Sequence, residues 1–335
     1  MENQTSIREF IILGFPELPH LQTLLFGLFL VVYLIAVLAN LLIFCTVCTD
    51  RRLHTPMFFF LCNLSVIDVC YMTATLPKLL KTLWTQQKAI SPSSCALQMY
   101  SFMGFLSTEF SLLTAMAYDR YVAICDPLRY VLIMNKEACI LLVVASWVTG
   151  FLDTMPHYLF VLQSSFCGSN EINHFFCDLT ALMKLSCSDT FTIETVTYVE
   201  GIFLGLGAFL LTLTSYVFII VSILKIRSSK GRHKAFSTCS SHLTVVIVFY
   251  LTTLCMYMRP PSVYSMEENK LINVVYVTII PLLNPLIYSL RNNELKGALW
   301  KITVRKIAFV SGKVDSGTSL VPKTNDNLKA RVKQV

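Results

Sequence analysis

Seven apolar stretches dominate this chain of 335 residues, and each is long enough to cross a bilayer. They run approximately Leu24–Cys48, Met57–Leu80, Leu97–Cys125, Ala138–Val161, Val196–Ile226, Phe236–Met258 and Leu271–Leu290. A helix needs roughly 20 residues to span the hydrocarbon, and in lipid its backbone must bond within itself. Charged residues make up 14% of the chain, against roughly 25% in a soluble domain. The expected fold is therefore an all-α membrane protein with a seven-helix bundle over residues 24–290. Residues 1–23 precede it. Residues 291–310 read as an amphipathic cytoplasmic helix in which Leu295, Leu299, Trp300 and Ile302 alternate with Lys296, Lys301 and Arg305. Residues 311–335 read as a polar, disordered tail. The first ten residues hold acids and no apolar core, so the first span is expected to act as the targeting signal.

The loops set the orientation. Arg51, Arg52 and His54 follow the first span, Arg129 and Lys136 the third, and Lys225, Arg227, Lys230, Arg232 and Lys234 the fifth. The alternate loops mix lysines with Glu171, Asp178, Asp189, Glu267 and Glu268. Basic loops stay cytoplasmic, which puts the N-terminus outside and the C-terminus inside. Asn3, in Asn3-Gln4-Thr5, is then a glycosylation acceptor on the outer side. Cys95, Cys167, Cys177 and Cys187 also lie outside, where disulfides form. Four cysteines allow three pairings, and spacing does not choose among them.

Ionisable groups inside membrane segments are functional candidates by default. Asp68 lies in the second segment and Glu109 in the third. With Asn40 and Asn284 they are expected to form a polar cavity holding water or a cation such as sodium. The alternative is a protonated, hydrogen-bonded carboxyl with no ion, since burial favours the neutral form. Glu200 lies one to two turns into the fifth segment. It either recognises a donor or amine on a ligand, or it has a structural role, pairing with His157 or Arg259 or pointing at solvent near the rim, and the structural role is favoured. Asp119 and Arg120 close the third segment, and Pro127 marks a helix boundary just beyond. Asn284-Pro285 predicts a kink in the last segment.

Four strings carry a family resemblance: Met116–Tyr130 (MAYDRYVAICDPLRY), Lys234–Leu243 (KAFSTCSSHL), Leu53–Ser65 (LHTPMFFFLCNLS) and Pro281–Asn292 (PLLNPLIYSLRN). Together they resemble the signatures of odorant receptors, within the rhodopsin-like G-protein-coupled receptors, and Thr55 matches the tetrapod-type class. The likeness covers Phe10–Leu299. Ala39 departs from the family's usual glycine, and Phe58 and Cys62 from its usual tyrosine and serine.

The resemblance implies disulfides Cys95–Cys177 and Cys167–Cys187. It implies a small volatile ligand in the outer half of the bundle, between the third, fifth, sixth and seventh helices. On helical spacing the lining would be Phe102, Met103, Leu106 and Ser107, then Glu200, Gly201 and Leu204, then Tyr250, Thr253, Leu254 and Tyr257, with Val277 from the seventh. It implies coupling to a stimulatory, olfactory-type heterotrimeric G protein that raises cyclic AMP. Arg120, Tyr216 and Tyr288 would favour the active form, Asp119 would restrain Arg120 at rest, and Asn284 and Pro285 would complete the switch.

Other classes fit less well. A channel or transporter would favour repeated halves, matched broken helices or rings of charge. An enzyme would need a motif such as His-Glu-x-x-His or Gly-x-Ser-x-Gly, and none is present. The short, membrane-adjacent basic loops do not suggest nucleic-acid binding. No cofactor is expected beyond the sodium of the polar cavity.

Overall fold

The computed structural model describes residues 8–16, 18–167, 169–257, 266–291 and 294–300. Seven helical rods build it. The first three are α1 (Gln22–Thr49), α2 (Pro56–Thr85) and α3 (Pro92–Cys125). A short α4 (Tyr130–Ile133) leads into the fourth rod, α5 (Lys136–Asp153) and α6 (Met155–Gln163), which breaks at Thr154 just before Pro156. After the loop helix α7 (Leu179–Leu185), the fifth rod joins α8 (Phe191–Glu200) to α9 (Gly207–Lys225) through a π-helical turn, Gly201–Leu206. The sixth is α10 (Ser229–Tyr257). The seventh joins α11 (Met266–Val274) to α12 (Ile280–Arg291) through a second π turn, Val275–Ile279. Residues 294–300 are helical, with Leu295 and Ala298 buried and Trp300 exposed.

Among the described residues, five runs are long and apolar enough to cross a membrane: Gln22–Thr49, Pro56–Thr85, Lys136–Gln163, Phe191–Lys225 and Lys270–Tyr288. The third and sixth rods are as long but more polar. α3 carries Glu109, Asp119 and Arg120, and α10 opens with Lys230, Arg232, His233 and Lys234 before its apolar part, His242–Thr253. The helices also outrun the apolar segments. Ser91 caps α3 by accepting from the Ser94 amide (3.2 Å), so the helix begins five residues before Leu97. The fifth rod begins at Phe191 and the sixth at Ser229, because polar first turns remain helical when capped or exposed. α3 ends at Cys125, just before Asp126-Pro127.

The rods pack around α3, which touches α2, α5, α6, α9 and α10. Leu24, Leu28, Val31 and Leu38 stay exposed along α1, an apolar face suited to hydrocarbon. Small residues bring α3 and α5 close. A Cβ on Gly150 would lie 2.2 Å from Thr108 Oγ1 and 2.6 Å from the Thr108 backbone nitrogen. At Gly104 the space is taken by the Phe151 ring, 2.8 Å away.

One end of the bundle is covered by a lid. The N-terminal segment contributes β1 (Phe10–Ile12), which the apolar-segment reading leaves as loop because three residues carry no usable periodicity. It lies between β2 (Ala89–Ile90), antiparallel with Phe10 opposite Ile90, and β3 (Glu171–Ile172), parallel with Ile11 opposite Glu171. The disulfides are Cys95–Cys177, tying the lid to α3, and Cys167–Cys187, closing the loop on itself. Phe10, Ile12, Cys95, Cys177, Leu179 and Leu182 share a buried cluster beneath.

At the other end, Cys45 and Cys48 give the chain a Cys-x-x-Cys spacing on exposed positions of α1. No group of three His, Cys, Asp or Glu among the described residues could hold a metal ion.

Gly150→Ala should cost about 1–3 kcal/mol or more, the penalty of overpacking a contact that includes backbone. Gly27→Ala, where a Cβ meets nothing within 4 Å, should be neutral or slightly stabilising. Thermal unfolding of the two purified variants checks this, and equal stability would discount the close approach.

Candidate ligand cavity and coupling region

A cavity of about 340 Å³ lies between α3, the α5–α6 junction, the α8–α9 rod and α10. From α3 come Met103, Leu106, Ser107 and Phe110. From the junction come Asp153 and Thr154, from the fifth rod Thr197, Glu200, Gly201, Leu204 and Phe209 among others, and from α10 Tyr250 and Thr253. The π turn matters here: the extra residue in its coil spreads Gly201–Leu206 along the wall, and such turns recur at functional sites.

Eight of the expected lining positions meet in this cavity: Met103, Leu106, Ser107, Glu200, Gly201, Leu204, Tyr250 and Thr253. The side chains of Leu254 and Tyr257 lie outside the described residues. Phe102 and Val277 do not line it. Phe102 is packed against Tyr71 (centroids 5.1 Å) and against Phe176 of the lid (4.6 Å), and Val277 is fully buried. Lid and aromatic side chains therefore fill the side facing the seventh rod, and the fourth rod supplies the wall expected from the seventh. Asp153 was the legible signal for that wall, an acid inside an apolar segment just as Glu200 is.

Polar contacts at the cavity are specific. Ser107 Oγ donates to Asp153 Oδ2 at 3.0 Å. Glu200 Oε2 lies 3.4 Å from His157 Nε2, the pairing expected as one structural role, while Arg259 lies outside the described residues. Gly201 and Gly205 have open space around them, so neither is used for close helix packing.

Deeper in the bundle, Asn284 donates to both Asp68 carboxylate oxygens at 3.2 Å. Tyr276 donates to Glu109 Oε2 at 3.2 Å, and Oε1 has no hydrogen-bond partner among the described residues. Asn40 does not join these carboxylates. Its amide donates to the carbonyls of Ala36 (3.1 Å) and Pro281 (2.9 Å). Proline has no N–H, so Pro285 leaves the carbonyl four residues back without its helical donor. That carbonyl is Pro281, and Asn40 supplies the missing bond.

At the far end of α3, Arg120 pairs with Asp119, with Nε donating at 2.9 Å. Tyr130 Oη donates to the other Asp119 oxygen at 2.8 Å. Burial first, and then the neighbouring Asp119 charge, push the Tyr130 phenol above its ordinary value, so it stays a donor. Tyr216 Oη and His242 Nδ1 lie 2.6 Å apart, both buried. Tyr288 is buried as well, and its hydroxyl has no partner among the described residues.

Comparison with known proteins places the chain in a family. The family model described as olfactory receptor matches residues 29–306. The chain belongs to the olfactory receptor family. It is 50% identical over 307 residues to Olfactory receptor 1G1 of Gorilla gorilla gorilla, covering 91% of this chain and 98% of that one. It is 47% identical over 305 residues to Olfactory receptor 5M5 of Mus musculus, with 91% and 96% covered. It is 48% identical over 299 residues to Olfactory receptor-like protein OLF4 of Canis lupus familiaris, with 89% and 97% covered. The family consists of odorant-sensing, multi-pass G-protein-coupled receptors of the plasma membrane, which are not enzymes.

The receptor's lid holds one further titratable group. His174 is buried between Phe175 and Phe176, its Nδ1 accepting from the Phe176 amide (3.4 Å) and its Nε2 beside the Asn273 amide (3.3 Å). Desolvation lowers its pKa from 6.5 to about 4, with Asp178 opposing and Lys270 assisting. The unfolded lid takes up a proton below pH 6.5 while the folded lid does not, so stability falls as pH drops from 6.5 towards about 4. Amide exchange over residues 171–178 should accelerate across that window. His174→Phe, which keeps a ring and loses the titration, should flatten the dependence, and an unchanged pH profile would assign it to another group.

Proposed function

We propose that this receptor takes a small volatile odorant in the α3–α10 cavity and activates a stimulatory, olfactory-type G protein, raising cyclic AMP. One observation carries the reading: a single helix, α3, bears both ends of the device. Leu106 and Ser107 line the cavity, and Arg120 stands thirteen residues on, about 20 Å along the axis. A ligand can shift the receptor only by binding one arrangement of the helices better than another. The Asp119–Arg120–Tyr130 contacts describe a restrained Arg120. Release of Arg120 towards Tyr216 and Tyr288 would open the inner face, with Asn284 and Pro285 letting the seventh rod move. In this reading all seven rods span the bilayer, the lid and Asn3 are extracellular, and the segments 291–310 and 311–335 are cytoplasmic; Asn3 and residues 301–335 lie outside the described residues.

Asp68 and Glu109 face a shared polar region, and a sodium ion there would take Glu109 Oε1 and the Asp68 oxygens. If so, replacing sodium with a bulky organic cation should change basal cyclic AMP in the wild type, and Asp68→Asn should abolish that sensitivity. A wild type indifferent to sodium would leave protons as the compensating charge.

Coupling is tested in cells displaying the receptor and challenged with a broad panel of volatiles. Responses should be odorant-specific and should be lost in Arg120→Ala at equal surface display. A normal response in that variant would remove Arg120 from the switch.

A further inference from the structure

The cavity wall is apolar over most of its area, yet two carboxylates, Asp153 and Glu200, line it, and among the described residues no lysine or arginine does. Each has little compensation. Asp153 accepts from Ser107 alone among the hydrogen bonds of the described residues. Glu200 faces His157 Nε2 at 3.4 Å, but the same nitrogen lies 2.9 Å from Thr197 Oγ1. The Thr197 hydroxyl already donates to the Ile193 carbonyl at 2.8 Å. Its oxygen must therefore accept from His157, and Glu200 is left the longer, second contact. Among the described residues, even a protonated His157 leaves one more acid than base.

Three of the lining hydroxyls point the same way, while that of Tyr250, buried and without a hydrogen-bond partner among the described residues, is left as a single donor. Ser107 gives its hydrogen to Asp153. Thr154 donates to the carbonyls of Gly150 and Phe151 (both 3.3 Å), and Thr253 to that of Phe249 (2.9 Å). What these groups present to the cavity is acceptor oxygen. A ketone or ester would bring more acceptors to a wall already rich in them. An alkylammonium brings three donors, no acceptor and the missing positive charge.

We propose that the cavity selects a small aliphatic monoamine, its ammonium between Asp153 and Glu200 and its alkyl chain along Leu106, Phe110 and Phe209. This rests on reading the cavity as the ligand site and names the ligand class it takes. A diamine fits less well, because a second ammonium would be stranded against apolar wall.

The test uses the full-length receptor purified in detergent at about pH 7.4, where an alkylamine is protonated, as lysine is with a pKa of about 10.4. Thermal unfolding is followed with hexylamine, hexan-1-ol and hexan-2-one. Hexylamine should stabilise at roughly tenfold lower concentration than either neutral compound, a modest reward for a desolvated charge pair. Glu200→Gln and Asp153→Asn should each weaken hexylamine roughly tenfold, leaving hexan-1-ol little changed. Should either variant fail to fold, the wild-type comparison of amine with alcohol decides alone. Equal stabilisation by amine and alcohol, a preference for the ketone, or no stabilisation by hexylamine overturns the proposal.

Cyclic AMP in displaying cells separates the two readings. Responses confined to neutral volatiles overturn the amine class and leave the receptor reading intact. Stabilisation by hexylamine with no cyclic AMP response supports the amine class and overturns the coupling.

Discussion

A polar or charged side chain among apolar helices is costly unless another group compensates it, and α3 carries one side of several such pairings here. Ser107 meets Asp153, Glu109 meets Tyr276, and Asp119 meets Arg120 and Tyr130. The bonds to Asp153, Tyr276 and Tyr130 each reach a different neighbour: the fourth rod, the seventh rod, and the loop helix α4. Because low-dielectric surroundings make such bonds strong when satisfied and expensive when broken, they fix the rotation of α3 about its axis. The rest of the bundle is arranged around that choice.

Shape enforces the same choice. Gly104 and Gly150 let α3 and α5 approach so closely that backbone touches backbone. A close, glycine-mediated contact gains dispersion energy without needing a hydrophobic drive, which lipid does not supply. At the lid end, Cys95–Cys177 anchors the loop to the start of α3, so Phe176 is delivered onto Phe102. The aromatic plug closes the side of the bundle nearest the seventh rod and leaves the cavity on the other side of α3. The two π turns sit where side chains must be redirected, beside the cavity in the fifth rod and beside Glu109 in the seventh. In the seventh, Asn40 repairs the carbonyl freed by Pro285, so the proline costs no lost hydrogen bond.

Much of this was legible in the chain. The apolar segments located seven rods, and their ends moved outward mainly where polar first turns stay helical, with α2 also running past Leu80 to Thr85. Glu200, Asp68, Glu109 and Arg120 announced themselves as ionisable groups in apolar surroundings. Helical spacing from Glu109 found Met103, Leu106 and Ser107, because a helix repeats every 3.6 residues whatever it packs against. Spacing failed at Phe102, which lies on the flank that the lid covers, and at Val277, which packing buries. Asn40 illustrates the same limit. Its residue type marked it as polar and buried, but only the position of α12 shows that it serves a backbone carbonyl and not a carboxylate. The N-terminal strand was illegible, since three residues have no period and pair only when two distant loops present their edges.

The amino-acid sequence by itself determined the membrane class, the helical rods, the family and the small set of ionisable groups that must be compensated. These follow from local rules, hydrocarbon thickness, helical period and the cost of a buried charge, which need no knowledge of neighbours. Tertiary structure alone decided which compensations are made. It placed Asp153 opposite Ser107 and Glu200 beside His157, put the fourth rod at the cavity wall, and turned the hydroxyls of Ser107, Thr154 and Thr253 into acceptors. Those outcomes depend on how helices far apart in sequence rotate against one another, and that rotation is set by the packing of the whole bundle.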